Sequence, residues 1–162
     1  MGIGKHMRRL SGELVAELEL DAPARPEDLY GALCDAMSRR RGRPVHFRTA
    51  PFPPGTASGL WLDMADQDLV VIEERTAPDH QLVILGHELW HMNAGHCSHH
   101  VEGAAVAARS HFDQAEEKEA ETFGLLLASK CRTWLAVSSV RGQRDHLAGR
   151  IEASLGYLGP QG

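Results

Sequence analysis

The sequence has little cysteine and no long apolar run, and both absences narrow what the chain can be. Cys34, Cys97 and Cys131 are odd in number and widely spaced, which argues against a disulfide framework and points to a reducing, cytoplasmic setting. No apolar stretch approaches the roughly 20 residues that span a bilayer, so no membrane partner is expected. The basic residues near the N-terminus are followed by no apolar h-region, so no secretory signal is expected either. Excess positive charge is also missing. A net charge of −5 gives no general attraction to nucleic acid or an anionic membrane. There is no internal repeat and no low-complexity linker.

A chain of 162 residues reads as one domain spanning 1–162, with enough length for a real core. Its 43% hydrophobic and 24% charged content is ordinary for a globular protein. Met7 would serve as a natural start, so residues 1–6 read as an addition, 1–25 as an N-terminal extension, and 45–130 as the core unit.

The centre of that unit is His87-Glu88-Leu89-Trp90-His91, set in the apolar run from Leu82 to Met92. Histidines four apart on an α-helix differ by about 40° in projection, so both imidazoles face one side and can reach one zinc ion. Glu88 between them is then placed to act on the water that attacks a substrate. The competing reading is a core helix with two hydrogen-bonded histidines. It is the weaker one, because a carboxylate and two imidazoles buried together are costly without a metal or good partners.

Around this helix the pattern predicts an α+β domain, mostly helical, with a small three-stranded sheet packed on the zinc helix. Leu10–Leu20 fits both a strand-like alternation and a helical stripe of Leu10, Leu14 and Leu18. Pro26, Glu27 and Asp28 open a helix that fades at Arg39-Arg40-Arg41-Gly42. Those arginines suit a helix C-terminus better than a phosphate-tracking surface. Val45–Arg48 alternates as a strand, and Gly59–Met64 with Leu69–Ile72 reads as a hairpin around 65–68. Asp79 is the expected N-cap of the zinc helix, which should stop at Gly95. His96, Cys97, His99, His100 and His111 match no zinc module and read as solvated loop histidines. Asp113-Gln114-Ala115-Glu116 is a capping-box signature for a helix running to about Ala128–Trp134. A last amphipathic helix is expected between Arg141 and Leu155, with Leu147, Ile151 and Leu155 on one face.

Two histidines leave a catalytic zinc one protein ligand short. The helix after Asp113 offers Glu116, Glu117, Glu119 and Glu121. Glu117, Ala120, Glu121, Gly124 and Ala128 share one stripe of mostly small residues, which allows another helix to approach closely. Glu119 lies about 200° from Glu117. Glu117 is therefore the expected third ligand, with Glu121 one turn on as a carboxylate that orients a ligand histidine. The alternative is that all four glutamates form a solvated face.

These residues carry a resemblance. His87-Glu88-Leu89-Trp90-His91, followed by Glu117-Lys118-Glu119-Ala120-Glu121-Thr122-Phe123-Gly124-Leu125-Leu126-Leu127, resembles the ImmA/IrrE family of zinc metallopeptidases, which are of the gluzincin type. The likeness covers roughly residues 45–130. It implies Zn2+ held by His87, His91 and Glu117, with Glu88 as general base. It departs from the family pattern at Trp90, where Gly is usual, at Glu121, where Asp or Asn is more usual, and at Gly124, where Ala is. The resemblance further implies a bacterial cytoplasmic protein that cleaves a separate helix-turn-helix repressor or an antitoxin partner. A different class of function is a non-proteolytic regulatory or toxin-component module with a structural zinc. Its fourth ligand would come from Cys97 or the His96–His100 cluster, and it would not depend on Glu88. For the oxyanion, Tyr157, His146, His111 and Tyr30 are candidates by residue type alone.

Overall fold

The computed structural model describes residues 2–95, 99–100 and 114–135. It is α+β, in the chain order α1 (Ile3–Ala16), α2 (Pro26–Arg41), β1 (Val45–Ala50), β2 (Gly59–Met64), β3 (Gln67–Glu73), α3 (Pro78–Ala94), β4 (His99–His100) and α4 (Gln114–Lys130).

The ambiguous N-terminal segment is helical only as far as Ala16, so Leu10 and Leu14 of the expected stripe lie in the helix and Leu18 lies beyond it. Met7, Leu10, Ser11 and Leu14 are its buried residues, an i, i+3, i+4, i+7 set that only a helix presents on one side. It packs on α4 and α2, so the residues expected to be an extension contribute to the core. Helix α2 starts with Pro26 at its first position and ends where Gly42 adopts a left-handed φ of 68°, the conformation glycine takes at least cost.

The sheet has the order β1-β3-β2-β4. Strands β2 and β3 form an antiparallel hairpin whose register pairs Met64 with Gln67, so the turn is Ala65–Asp66 and not the longer 65–68. Strand β1 runs parallel to β3, an arrangement that needs the crossover supplied by the long connection and β2. The two residues of β4 pair in parallel with β2, so His99 and His100 continue the sheet where a loop was expected. The remaining residues of that histidine-rich stretch, and the expected 141–155 helix, lie outside the described residues.

Alternation sorts the sheet into two faces. Val70 and Ile72 of β3, Trp61 of β2 and Val45 of β1 join the buried core. Phe47 of β1 meets Tyr30 of α2 edge-on, with ring centroids 5.6 Å apart. Against this face lies α3, buried on nearly every side, and α4 crosses α3 on the far side from the sheet. Its N-cap is Ala77 with Pro78 first, and Asp79 sits inside the first turn instead of capping it. Proline there fits because the first turn's N–H groups have no helical acceptor. The start of α3 is fastened from below. The Tyr30 hydroxyl donates to the Pro78 carbonyl at 2.8 Å and lies 3.1 Å from Gln81 Oε1. The Gln81 amide donates to the Glu73 carbonyl at 3.0 Å.

A buried carboxylate fixes the other end. Asp68 has no exposed surface, yet Arg41 Nε lies 2.6 Å away, Arg43 Nε 3.4 Å away, and Trp61 Nε1 donates to it at 3.0 Å. Arg41 also donates to the Met92 carbonyl near the end of α3, at 3.0 Å. The other helix-end arginines are paired too, Arg39 with Glu17 and Arg40 with Glu13. The arginine run at 39–43 thus ties α2 to α1, β3 and α3, the structural use its position suggested.

Candidate metal centre

The last three turns of α3 carry His87, Glu88 and His91, and the first turn of α4 carries Glu117. What brings them together is the crossing point. Gly86 and Gly124 face each other so closely that a β-carbon on Gly86 would lie 2.9 Å from the Gly124 α-carbon. A β-carbon on Gly124 would collide with the Val83 carbonyl oxygen and lie 3.2 Å from the His87 nitrogen. With no side chain between them the helix axes can approach closely, and Glu117, two turns before Gly124, reaches the histidines.

The resulting cluster is compact. His87 Nε2 and His91 Nε2 lie 3.2 Å apart. Glu117 offers one oxygen to each: Oε2 is 3.1 Å from His87 Nε2, and Oε1 is 3.1 Å from His91 Nε2. A tetrahedral ion bound at about 2.0–2.1 Å requires ligand atoms roughly 3.3–3.4 Å apart. The observed spacings are within a few tenths of an ångström of that, so these side chains could hold a metal ion. His91 is fully buried, His87 is 14% exposed and Glu117 32% exposed at the side chain, so the cluster opens on its Glu117 side. Among the described residues these three are the one grouping of histidine, cysteine and carboxylate side chains that could hold a metal ion.

Glu88, the expected base, is on the same helix turn and 1% exposed. Glu121 is placed differently from the expectation. It is exposed and makes no hydrogen bond to either imidazole. The reason is the phase of α4. Its buried residues are Ala120, Phe123, Gly124 and Leu127, so the packed face centres near Ala120 and Leu127. Glu117 falls at the edge of that face, while Glu121 falls about 100° from its centre.

Trp90 does not crowd the crossing. It is 2% exposed and packs against Phe123 (centroids 5.1 Å apart) and His6 of α1 (5.4 Å). The bulky residue therefore fills the space between α3, α4 and α1, beside the glycine contact and not in it. Tyr30, one of the oxyanion candidates, is committed to the start of α3, nine residues before His87, and burial raises its phenol above the ordinary range. Tyr157, His146 and His111 lie outside the described residues. A close helix approach at the stripe of Gly124 was expected, but Gly86 as its partner and the Asp68 network were missed by sequence reasoning. Gly86 had a signal, its place immediately before the motif.

Comparison of the chain with protein-family models, with curated proteins and with solved structures returns no match.

Proposed function

We propose that this chain is a zinc-dependent metallopeptidase with His87, His91 and Glu117 as metal ligands and Glu88 as general base. The observation that carries the reading is the convergence of two imidazole nitrogens and a carboxylate, from two different helices, at mutual distances of 3.1–3.2 Å. Two imidazoles and a carboxylate gathered this closely are a donor set that a divalent cation can share. A zinc ion there supplies Lewis acidity, polarising a substrate carbonyl and making water a competent nucleophile near neutral pH.

The chain's own residues supply the rest. The buried Glu88 carboxylate, held on the helix between the two histidines, accepts the proton of the attacking water and returns it to the departing amine. The part-exposed side of the cluster, at Glu117, is where a peptide can approach. The ImmA/IrrE resemblance in the motif pair extends the proposal to a helix-turn-helix repressor or antitoxin as substrate, and to a cytoplasmic site of action.

The test is Glu88→Gln. Zinc should remain bound in the purified variant while hydrolysis of a repressor substrate is lost. Undiminished hydrolysis by that variant overturns the assignment of the base, and absence of zinc from zinc-replete wild-type protein overturns the metal site itself.

A further inference from the structure

The register of the strands places five apolar side chains on the sheet face turned away from the helices. Leu60 pairs with Val71, Leu62 with Leu69, and Met64 with Gln67 across the hairpin. Residues directly opposite share a face, so Leu60, Leu62, Met64, Leu69 and Val71 form one patch. His46 and Arg48 of β1 border it, opposite Leu69 and Val71. All five are part-exposed, and none belongs to the buried core. The described helices contact the other face: α2 and α3 meet the sheet through Phe47, Trp61, Val70 and Ile72.

The size of the patch limits what can cover it. Two strands about 4.8 Å apart and five residues long present an apolar area on the order of 200–300 Å². A stable interface between two copies of a protein takes about 800 Å² per partner, so the patch alone is too small for a dimer. It matches the footprint of one amphipathic helix, about 10 Å wide and, over 15 residues, about 22 Å long.

The chain carries such a segment. The described part ends at Leu135, where the Trp134 indole donates to the Leu20 carbonyl at 2.8 Å and the Trp134 carbonyl accepts from Ala24. Residues 136–162 follow. Within them Leu147, Ile151 and Leu155 recur at the four-residue spacing of a helical stripe. Of the other internal stretches outside the described residues, 96–98 is three residues long, and 101–113 is built largely of alanine, valine and glycine and has no comparable set of large apolar side chains.

We propose that the outer sheet face formed by Leu60, Leu62, Met64, Leu69 and Val71 is the docking site of the chain's own segment 141–155, seated through Leu147, Ile151 and Leu155. The segment then covers the face of the sheet opposite α3. It buries the hairpin's open apolar side, a surface that otherwise invites association.

The test is photo-crosslinking in the full chain, with benzoylphenylalanine introduced at Leu62 and, separately, at Leu60, followed by peptide mapping. Both positions face outward, so the core is undisturbed. The expected result is an intramolecular adduct to a peptide within 141–155, lost when Ile151→Glu is added. An adduct joining two chains means that a second copy occupies the face and overturns the proposal. An adduct to 101–113, or persistence of the 141–155 adduct in the Ile151→Glu variant, overturns it as well. An uncovered face, with no adduct from either position, does the same.

Discussion

Gly86 of α3 and Gly124 of α4 meet backbone to backbone: a β-carbon on the first would lie 2.9 Å from the α-carbon of the second. The grouping of His87, His91 and Glu117 depends on this contact, because the histidines belong to one of the crossing helices and Glu117 to the other. Alanine is the better helix former by about 1 kcal/mol, yet Gly124→Ala should destabilise the protein. Its methyl group meets the Val83 carbonyl and the His87 amide, both backbone, so the helices themselves must move apart. Overpacking of this kind costs about 1–3 kcal/mol, a fall in Tm of roughly 3–9 °C for a chain of this size. Zinc affinity should fall with it. A thermal melt and a zinc titration on the same sample check both, and an unchanged Tm would show that the crossing can relax without loss.

The phase of α4 yields a second prediction. Glu117→Gln removes a carboxylate that touches both imidazoles. It should weaken zinc binding by more than the roughly 10–100-fold typical of lost outer partners. Glu119→Gln and Glu121→Gln should leave it unchanged. Competition against a chromophoric chelator reads all three. Equal loss in Glu119→Gln would mean that the helix presents a different side to the histidines. Chelation of the metal should also lower Tm, since an ion bound only by the folded state stabilises it by mass action.

Much of this arrangement could be read directly from residue patterns. Pro26 and Gly42 bound α2, the β-branched run of 69–72 marks the central strand, and the meeting of His87, His91 and Glu117 was expected from helical spacing. The sequence pattern failed where distant partners decide the outcome. Leu10–Leu20 fits two periodicities, and the packing of Met7, Leu10 and Leu14 on neighbouring helices selects one. Asp68 sits in a polar run that resembles a turn, and its burial follows from Arg41, Arg43 and Trp61, none adjacent to it. Glu121 was misplaced because a stripe of small residues does not define the centre of a helix face. Phe123 and Leu127, which do define it, shift the centre away from Glu121.

Glu73 gives a pH prediction. Its carboxylate accepts from the Arg75 side chain at 2.7 Å and from the Phe52 amide at 2.7 Å. Chiefly the Arg75 hydrogen bond, then that of Phe52, lower its pKa from 4.5 to about 2. Because the folded pKa is depressed, the stability it contributes is present above about 4.5 and is lost as the pH falls toward 2. The loop that starts at Pro51 should therefore stay attached to the end of β3 through mild acid. The carboxyl carbon of Glu73, followed by NMR, should titrate with a midpoint near 2 in the wild type and move up toward 4.5 in Arg75→Ala. A wild-type midpoint at about 4, the unperturbed range, would show that the hydrogen bonds do not form.

The Asp68 network yields the last prediction, one that links stability to the metal. Asp68 is fully buried between Arg41 and Arg43, and removing one partner of a buried charge pair leaves the others uncompensated, at a cost of about 3–5 kcal/mol. The two arginines are 22% and 26% exposed and can recover some hydration, so Asp68→Ala should sit near the lower figure. Arg41 also holds the Met92 carbonyl, one residue beyond the proposed ligand His91. Arg41→Lys keeps the charge, but a single ammonium on a shorter reach cannot repeat the guanidinium's two bonds to Asp68 and to the helix end. That variant should fold, lose less stability than Asp68→Ala, and still bind zinc more weakly than the wild type. Urea denaturation with and without saturating zinc separates the two effects. If Arg41→Lys lowers stability equally in both conditions, Arg41 supports the fold alone; a larger loss with zinc present places it in the support of His91.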